Sequence, residues 1–152
     1  MCYSAEVRAD YRGFQRLFPG SKLSVKAFFD AYWKRKLQPM LMFPKAMDAL
    51  FAHPANDEER AIRALIDEYD AQNAFTYQGM LFKQRARLVT ATRAIEKKTT
   101  KKALNDQRVA TDKIAWSLSK IDDLKRTELA PRDSRFFPGW YAPVLVMEES
   151  EM

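Results

Sequence analysis

The only cysteine of this 152-residue chain is its second residue, in the opening segment MCYSAEVRADYR. Removal of Met1 would leave Cys2 with a free α-amine and a β-thiol. Such an aminothiol condenses with an aldehyde and then closes a thiazolidine ring. The reference pKa values, about 8 for the amine and about 8.5 for the thiol, make both groups available near neutral pH. Cys2 is therefore a candidate N-terminal nucleophile, with its amine as the base. The alternative is an idle thiol on a loose terminus.

Other catalytic signatures are missing from the sequence. The chain has four glycines, and none has the spacing of a phosphate-binding loop. His53 is the only histidine, which argues against a His-based zinc site. It stands directly before Pro54, where a helix-end role is the simpler interpretation. We therefore expect no metal site and no cofactor.

A basic segment between Lys83 and Arg126 is the second feature that could bind a ligand. It holds thirteen Lys and Arg against five Asp and Glu, whereas the whole chain carries a net charge of +6. This asymmetry is typical of proteins with an acidic partner, most often nucleic acid. The alternative is a solvated helix surface with a basic bias. The candidate DNA-binding residues are Arg85, Arg87, Lys97, Lys98, Lys101 and Lys102.

The composition bounds the class of protein. Hydrophobic residues make up 47% of the chain, and the length suits one domain. A single cysteine allows no internal disulfide, so a reducing cytoplasm is the expected location. No apolar run approaches the roughly 18 residues of a membrane-spanning helix, and we expect no membrane partner.

The apolar spacing predicts a mainly α protein with minor β structure. One helix follows Ser24, with Val25, Phe28, Phe29, Tyr32 and Trp33 on its core face. A short helix follows Pro44. A long one begins after Asn56, whose spacing to Glu59 resembles a capping box. The pattern lapses at KKTTKK and returns with Ala110, Ile114, Leu118, Ile121 and Leu124, which predicts an antiparallel helical hairpin with basic residues at its tip. The segment APVLVM is predicted to form a strand before a polar tail.

The start MCYSAEVRADYRGF and the stretch RFFPGWYAPVLVMEES together resemble the SOS response-associated peptidase (SRAP) family, in its bacterial Met-Cys-Tyr-Ser branch. The resemblance covers the N-terminal portion of the family, and it is most specific at Met1–Ala5 and Arg135–Val146. It implies a single, incomplete α+β domain over residues 1–152. Within it, residues 24–128 would be a helical insertion, containing the long helical hairpin, between two strands of this truncated α+β domain. Residues 130–152 would form a loop, a strand and the tail.

The resemblance implies a DNA damage response function. Family members use the cysteine exposed by Met removal to capture the aldehyde of an abasic site in single-stranded DNA as a thiazolidine crosslink. The same cysteine is credited with autopeptidase activity. If the family's catalytic cysteine is carried over to this sequence, it corresponds to Cys2. The resemblance also implies a cytoplasmic protein that is associated with the nucleoid when it is bound to DNA.

The sequence departs from the family pattern in ways that matter for activity. The family's Asn, Glu and late His follow the PVLV strand and have no counterpart in this chain, so we expect impaired activity. A second chain that completes the sheet is an expected partner. Two other readings remain: a non-catalytic basic helical module that binds nucleic acid or a protein, and a gene product without activity. The sequence leaves them open.

Overall fold

A computed structural model describes residues 5–6, 25–38 and 40–141. The elements in chain order are β1 (Ala5–Glu6), α1 (Val25–Leu37), α2 (Lys45–Ala49), α3 (Asp57–Lys97), α4 (Lys101–Lys125), a 3-10 helix (Pro131–Ser134) and β2 (Arg135–Phe136). The prediction of a mainly helical protein with minor β structure is confirmed. The predicted APVLVM strand and Cys2 lie outside the described residues.

The chain divides into two compact units. The first contains residues 1–67 and 128–152, and the second contains residues 68–127. Helix α3 contributes its first eleven residues to the first unit and the remainder to the second.

Aromatic and aliphatic side chains from α1, α2 and the start of α3 form the core of the first unit. Its buried members are Phe28, Ala31, Tyr32, Phe43, Met47, Phe51, Ile62, Leu65 and Ile66. The Tyr32 ring meets the Phe43 and Phe51 rings edge-on, with centroids 4.9 and 5.7 Å away. Such edge contacts stabilise a core beyond the burial of apolar area.

One member of the predicted aromatic core face lies elsewhere. Trp33 is 45% exposed, stacks on Phe29 and receives the Lys36 ammonium over its ring. The prediction that Trp33 packs in the core is wrong. Each helical residue turns the side chain by about 100°, so Trp33 lies one step beyond the buried Tyr32, at the margin of the core.

The core also contains an ion pair. Arg35 of α1 is buried and donates to Asp48 of α2 over 2.7 Å. The guanidinium carbon lies 5.0 Å from the Phe43 ring centroid, which adds a cation–π contact. This pair links α1 to α2.

The cap predicted at the start of α3 is present. The Glu59 amide donates to the side-chain oxygen of Asn56 over 2.8 Å, and the Glu59 carboxylate accepts from the Ala55 amide over 2.7 Å. These bonds satisfy amides that a helix start otherwise leaves without partners.

The second unit is a hairpin of two antiparallel helices. Tyr77 of α3 packs edge-on against Trp116 of α4, with ring centroids 5.4 Å apart. Ten residues later on α3, Arg87 binds Asp106, which lies ten residues earlier on α4. These equal and opposite steps show that the two helices run antiparallel in one register. The helix break predicted at KKTTKK lies at residues 98–100.

Small side chains line the face of α4 that turns inward. Ala103, Ala110 and Ser117 are buried at intervals of seven residues, and the Ser117 hydroxyl donates to the Lys113 carbonyl over 2.8 Å. Leu118, which the apolar spacing placed on this face, is instead 39% exposed. The predicted apolar face is confirmed for Ala110 and Ile121, which are buried, and is wrong for Leu118, which lies at its margin.

Candidate nucleic-acid interface

Two residues from each of the segments on which the family resemblance rests pair with each other in the first unit. Strand β1 pairs antiparallel with β2, with Ala5 opposite Phe136 and Glu6 opposite Arg135. Ala5 follows Cys2 by three residues. Cys2 itself lies outside the described residues, so its surroundings do not enter the geometry of the site.

A tight turn follows β2 and fixes the direction of the chain beyond it. The Trp140 amide donates to the Phe137 carbonyl over 3.0 Å, with Pro138 and Gly139 between them. Gly139 has φ of 87°, and this positive value after proline is typical of a type II turn. The Tyr141 amide then donates to the Met42 carbonyl, and the Tyr141 ring stacks on Phe43 at 4.8 Å. The FFPGWY segment is thus anchored to the first unit's core.

The predicted lysines gather at the tip of the hairpin in the second unit. Lys97 ends α3, Lys98 follows it, and Lys101 and Lys102 begin α4. All four are exposed, and none forms an ion pair with any residue that the structure describes. The tip is therefore a compact cluster of cations available to an anionic ligand.

Two of these lysines lie at a helix start, where a positive charge lowers the stability of the helix. The Thr100 side chain accepts from the Ala103 amide over 3.1 Å and so caps the start of α4. Lys101 and Lys102 occupy the first turn, which contains no acidic residue. A helix N-terminus carries a partial positive charge, so cations there are unfavourable. Lys101 and Lys102 therefore gain nothing from the helix dipole, and their exposed ammonium groups are accessible from solvent.

The two predicted arginines have different environments. Arg85 is exposed on α3. Arg87 is partly buried, and its guanidinium lies 2.5 Å from the Asp106 carboxylate. Arg87 therefore joins the two helices, and its charge is largely compensated within the hairpin.

Sequence reasoning missed Arg93 as a candidate. Arg93 is exposed on α3, one turn before Lys97. Residues four apart lie on the same side of a helix, so Arg93 extends the cationic surface from the tip toward Arg85. This spacing was readable in the sequence.

Other kinds of site find no support among the described residues. No group of three or more potential metal ligands occurs there. No helix of the described chain is both long and apolar enough to cross a membrane. His53 is exposed in the bend after α2.

No protein-family model matches this chain, and no curated protein or solved structure matches it either.

Proposed function

We propose that this protein captures abasic sites in single-stranded DNA through Cys2 once Met1 has been removed. The observation that carries the proposal is the pairing of Ala5 with Phe136. It joins the two segments whose sequences resemble the SRAP family, as expected of strands from one such domain. The anchored FFPGWY turn supports the same interpretation.

The proposed reaction needs no cofactor. The α-amine of Cys2 adds to the aldehyde carbon of the opened abasic sugar and loses water to give an imine. The thiol then adds to the imine carbon, and its proton passes to the nitrogen. One C–N and one C–S bond form, and water is the only product released. The family's autopeptidase activity is part of the same proposal, since the same thiol would be its nucleophile.

The hairpin tip would hold the DNA backbone near the protein without reading its sequence. Four exposed lysines and Arg85 and Arg93 provide the cations. Binding by such contacts releases counterions and weakens steeply as salt rises. The DNA would associate reversibly first and then react with Cys2.

A denaturing gel tests the covalent step. Protein whose mass confirms an N-terminal Cys2 is mixed with a single-stranded oligonucleotide that carries one abasic site. We expect a slower band that resists denaturation, absent with Cys2→Ala and absent when borohydride has reduced the abasic aldehyde. An equal band from Cys2→Ala would disprove the role of Cys2. No band from folded, Met-free protein would disprove the proposed capture.

The second candidate function is that of a non-catalytic module which binds nucleic acid through the hairpin. The cations in the first turn of α4 favour it specifically, because they serve an anionic ligand whether or not Cys2 reacts. Salt-sensitive DNA binding that is unchanged in Cys2→Ala, without any covalent band, would support this function over the first.

A further inference from the structure

An exposed apolar stripe runs along α3 within the second unit. Phe75 is 73% exposed, Phe82 is 69% exposed and Val89 is 49% exposed. They are spaced by seven residues, which places them along one side of the helix. We call these three residues the α3 stripe. Apolar patches of this kind usually mark an interaction surface.

The stripe faces away from the partner helix of the hairpin. Phe75 precedes Tyr77 by two residues, and Phe82 precedes the buried Gln84 by two. Two residues correspond to about 200° of helical rotation. Since Tyr77 contacts Trp116 of α4, the stripe lies on the opposite side of α3. The hairpin itself therefore cannot cover it.

Small residues lie between the two phenylalanines of the α3 stripe and one turn beyond each of them. Gly79 is exposed, and a Cβ placed on it would meet no atom within 4 Å. Ala71 and Ala86 are exposed on the same side, one turn outside the two phenylalanines. A surface with large rings at two positions and small residues between and beyond them allows a second helix to approach closely.

The charges on α3 have opposite signs at the two ends of the segment that carries both phenylalanines. Residues 71–82 contain no charged side chain. Glu68 and Asp70 precede this neutral segment, and Lys83 and Arg85 follow it. An antiparallel copy of α3 would bring the acidic end of this segment in one copy near the basic end in the other. A parallel copy would set Lys83, Arg85 and Arg93 beside their own equivalents, which like charge disfavours.

We propose that the α3 stripe is the interface of a two-fold symmetric dimer in which α3 packs antiparallel against α3 of a second copy. With the axis between Gln78 and Gly79, Phe75 lies opposite Phe82 of the second copy. Ala71 then lies opposite Ala86, and Glu68 lies opposite Val89, within one turn of Arg93. The same patch contacts itself, as a two-fold interface requires.

Single-stranded nucleic acid fits this surface less well. Bound strands need cations beside the aromatic rings that stack with the bases. Cations lie beside Phe82 only, where Lys83 and Arg85 follow it, whereas the charges nearest Phe75 are the acidic Glu68 and Asp70. The dimer does not depend on the proposed function, because the lysines at the hairpin tip lie outside this interface.

Sedimentation equilibrium of the full chain tests the interface. We expect a dimer for the native protein and a rise of at least about 100-fold in the dissociation constant for Phe75→Ser/Phe82→Ser. The matched control, Leu104→Ser/Leu118→Ser, changes two exposed apolar residues of α4 and should leave the dimer intact. A native protein that is monomeric at every concentration would overturn the proposal, as would equal dissociation constants for the native and stripe variants.

Disulfide trapping tests the register in a Cys2→Ser background. Gln78→Cys lies beside the axis and should form a disulfide-linked dimer. Ala86→Cys should not, because the two copies of residue 86 are offset by about 22 Å along the helices, beyond disulfide reach. Efficient trapping of Ala86→Cys would indicate a parallel pair and overturn the antiparallel dimer. A monomer whose DNA binding is lost in the stripe variant would make nucleic acid the occupant instead.

Discussion

The guanidinium of Arg87 lies 2.5 Å from the carboxylate of Asp106 and joins the two helices of the hairpin. The pair is partly shielded, with the side chains 39% and 29% exposed. Its position explains why a residue that looks like a DNA contact in the sequence is better understood as a structural one. Mutation can separate the two roles.

Arg87→Ala should lower the free energy of unfolding by about 0.5–1 kcal/mol, because solvent screens much of a half-exposed ion pair. The affinity for single-stranded DNA should change little. Urea denaturation and a fluorescence binding assay measure the two effects. Arg108→Ala, which removes a more exposed pair with Asp112, is the control and should change stability less. A large loss of DNA affinity in Arg87→Ala would show that Arg87 contacts DNA.

Lys101→Gln/Lys102→Gln should weaken DNA binding while making the protein more stable. Two fewer phosphate contacts lower the slope of log affinity against log salt by about 1.4 for a single strand. Removing two cations from the first turn of α4 raises the free energy of unfolding by roughly 0.3–1 kcal/mol each. DNA binding measured across a salt series tests the predicted loss of affinity, and denaturation tests the predicted gain in stability.

The control for this variant is Lys26→Gln/Lys34→Gln, which removes two exposed lysines from α1 in the first unit. Its salt slope should equal that of the native protein. Equal losses in both variants would mean that the hairpin tip has no special part in binding, and that overall charge alone attracts DNA.

Asp48→Asn should lower the free energy of unfolding by about 3 kcal/mol, because it leaves the buried Arg35 charge without its carboxylate. The more exposed Arg63–Asp67 pair provides the comparison, and Asp67→Asn should cost less than about 0.5 kcal/mol. Denaturation of both variants gives the difference. Similar values would show that Arg35 obtains its compensation elsewhere.

Stability should fall in alkaline solution, and Tyr32 should be a main cause. Burial, followed by the negative charge of Asp48, raises the pKa of Tyr32 well above its usual value. A raised pKa favours the protonated form in the folded state. Its contribution is therefore complete below about pH 10, the unfolded pKa, and is lost as pH rises through the folded pKa.

Tyr32→Phe should make the free energy of unfolding less dependent on pH above about pH 10. Part of the pH dependence of the free energy of unfolding should remain in this variant, since burial also raises the pKa values of Tyr77 and Tyr141. Denaturation of the native and variant proteins from neutral to alkaline pH tests this. Identical pH profiles would show that Tyr32 does not control the alkaline loss of stability.

Local signals predicted the helices well. Asn56 and Glu59 marked the start of α3, and the lapse of apolar spacing marked the end. These features depend on neighbouring residues, which a sequence displays directly. The same reasoning located the exposed lysines, because charged residues at a helix turn face water in most tertiary arrangements.

Features set by packing between elements were harder to predict. The burial of Arg35 depends on Asp48 being carried to it by α2, and nothing in the spacing of α1 indicates this. The partnership of Arg87 with Asp106 depends on the register of the hairpin, which is set by the packing of α3 against α4. The exposure of Phe75 and Phe82 was also hidden, since a pattern of apolar residues does not show which side a single partner helix leaves uncovered.

The three small buried residues of α4 provide a way to find relatives that share little surface sequence. Ala103, Ala110 and Ser117 lie where a larger side chain would push the helices apart and break the Arg87–Asp106 register. Chains that keep this hairpin can change nearly every exposed position, yet should keep small residues at the three positions that Ala103, Ala110 and Ser117 occupy. A search weighted on those three positions, with a matching break after the first helix, would detect them where overall similarity does not.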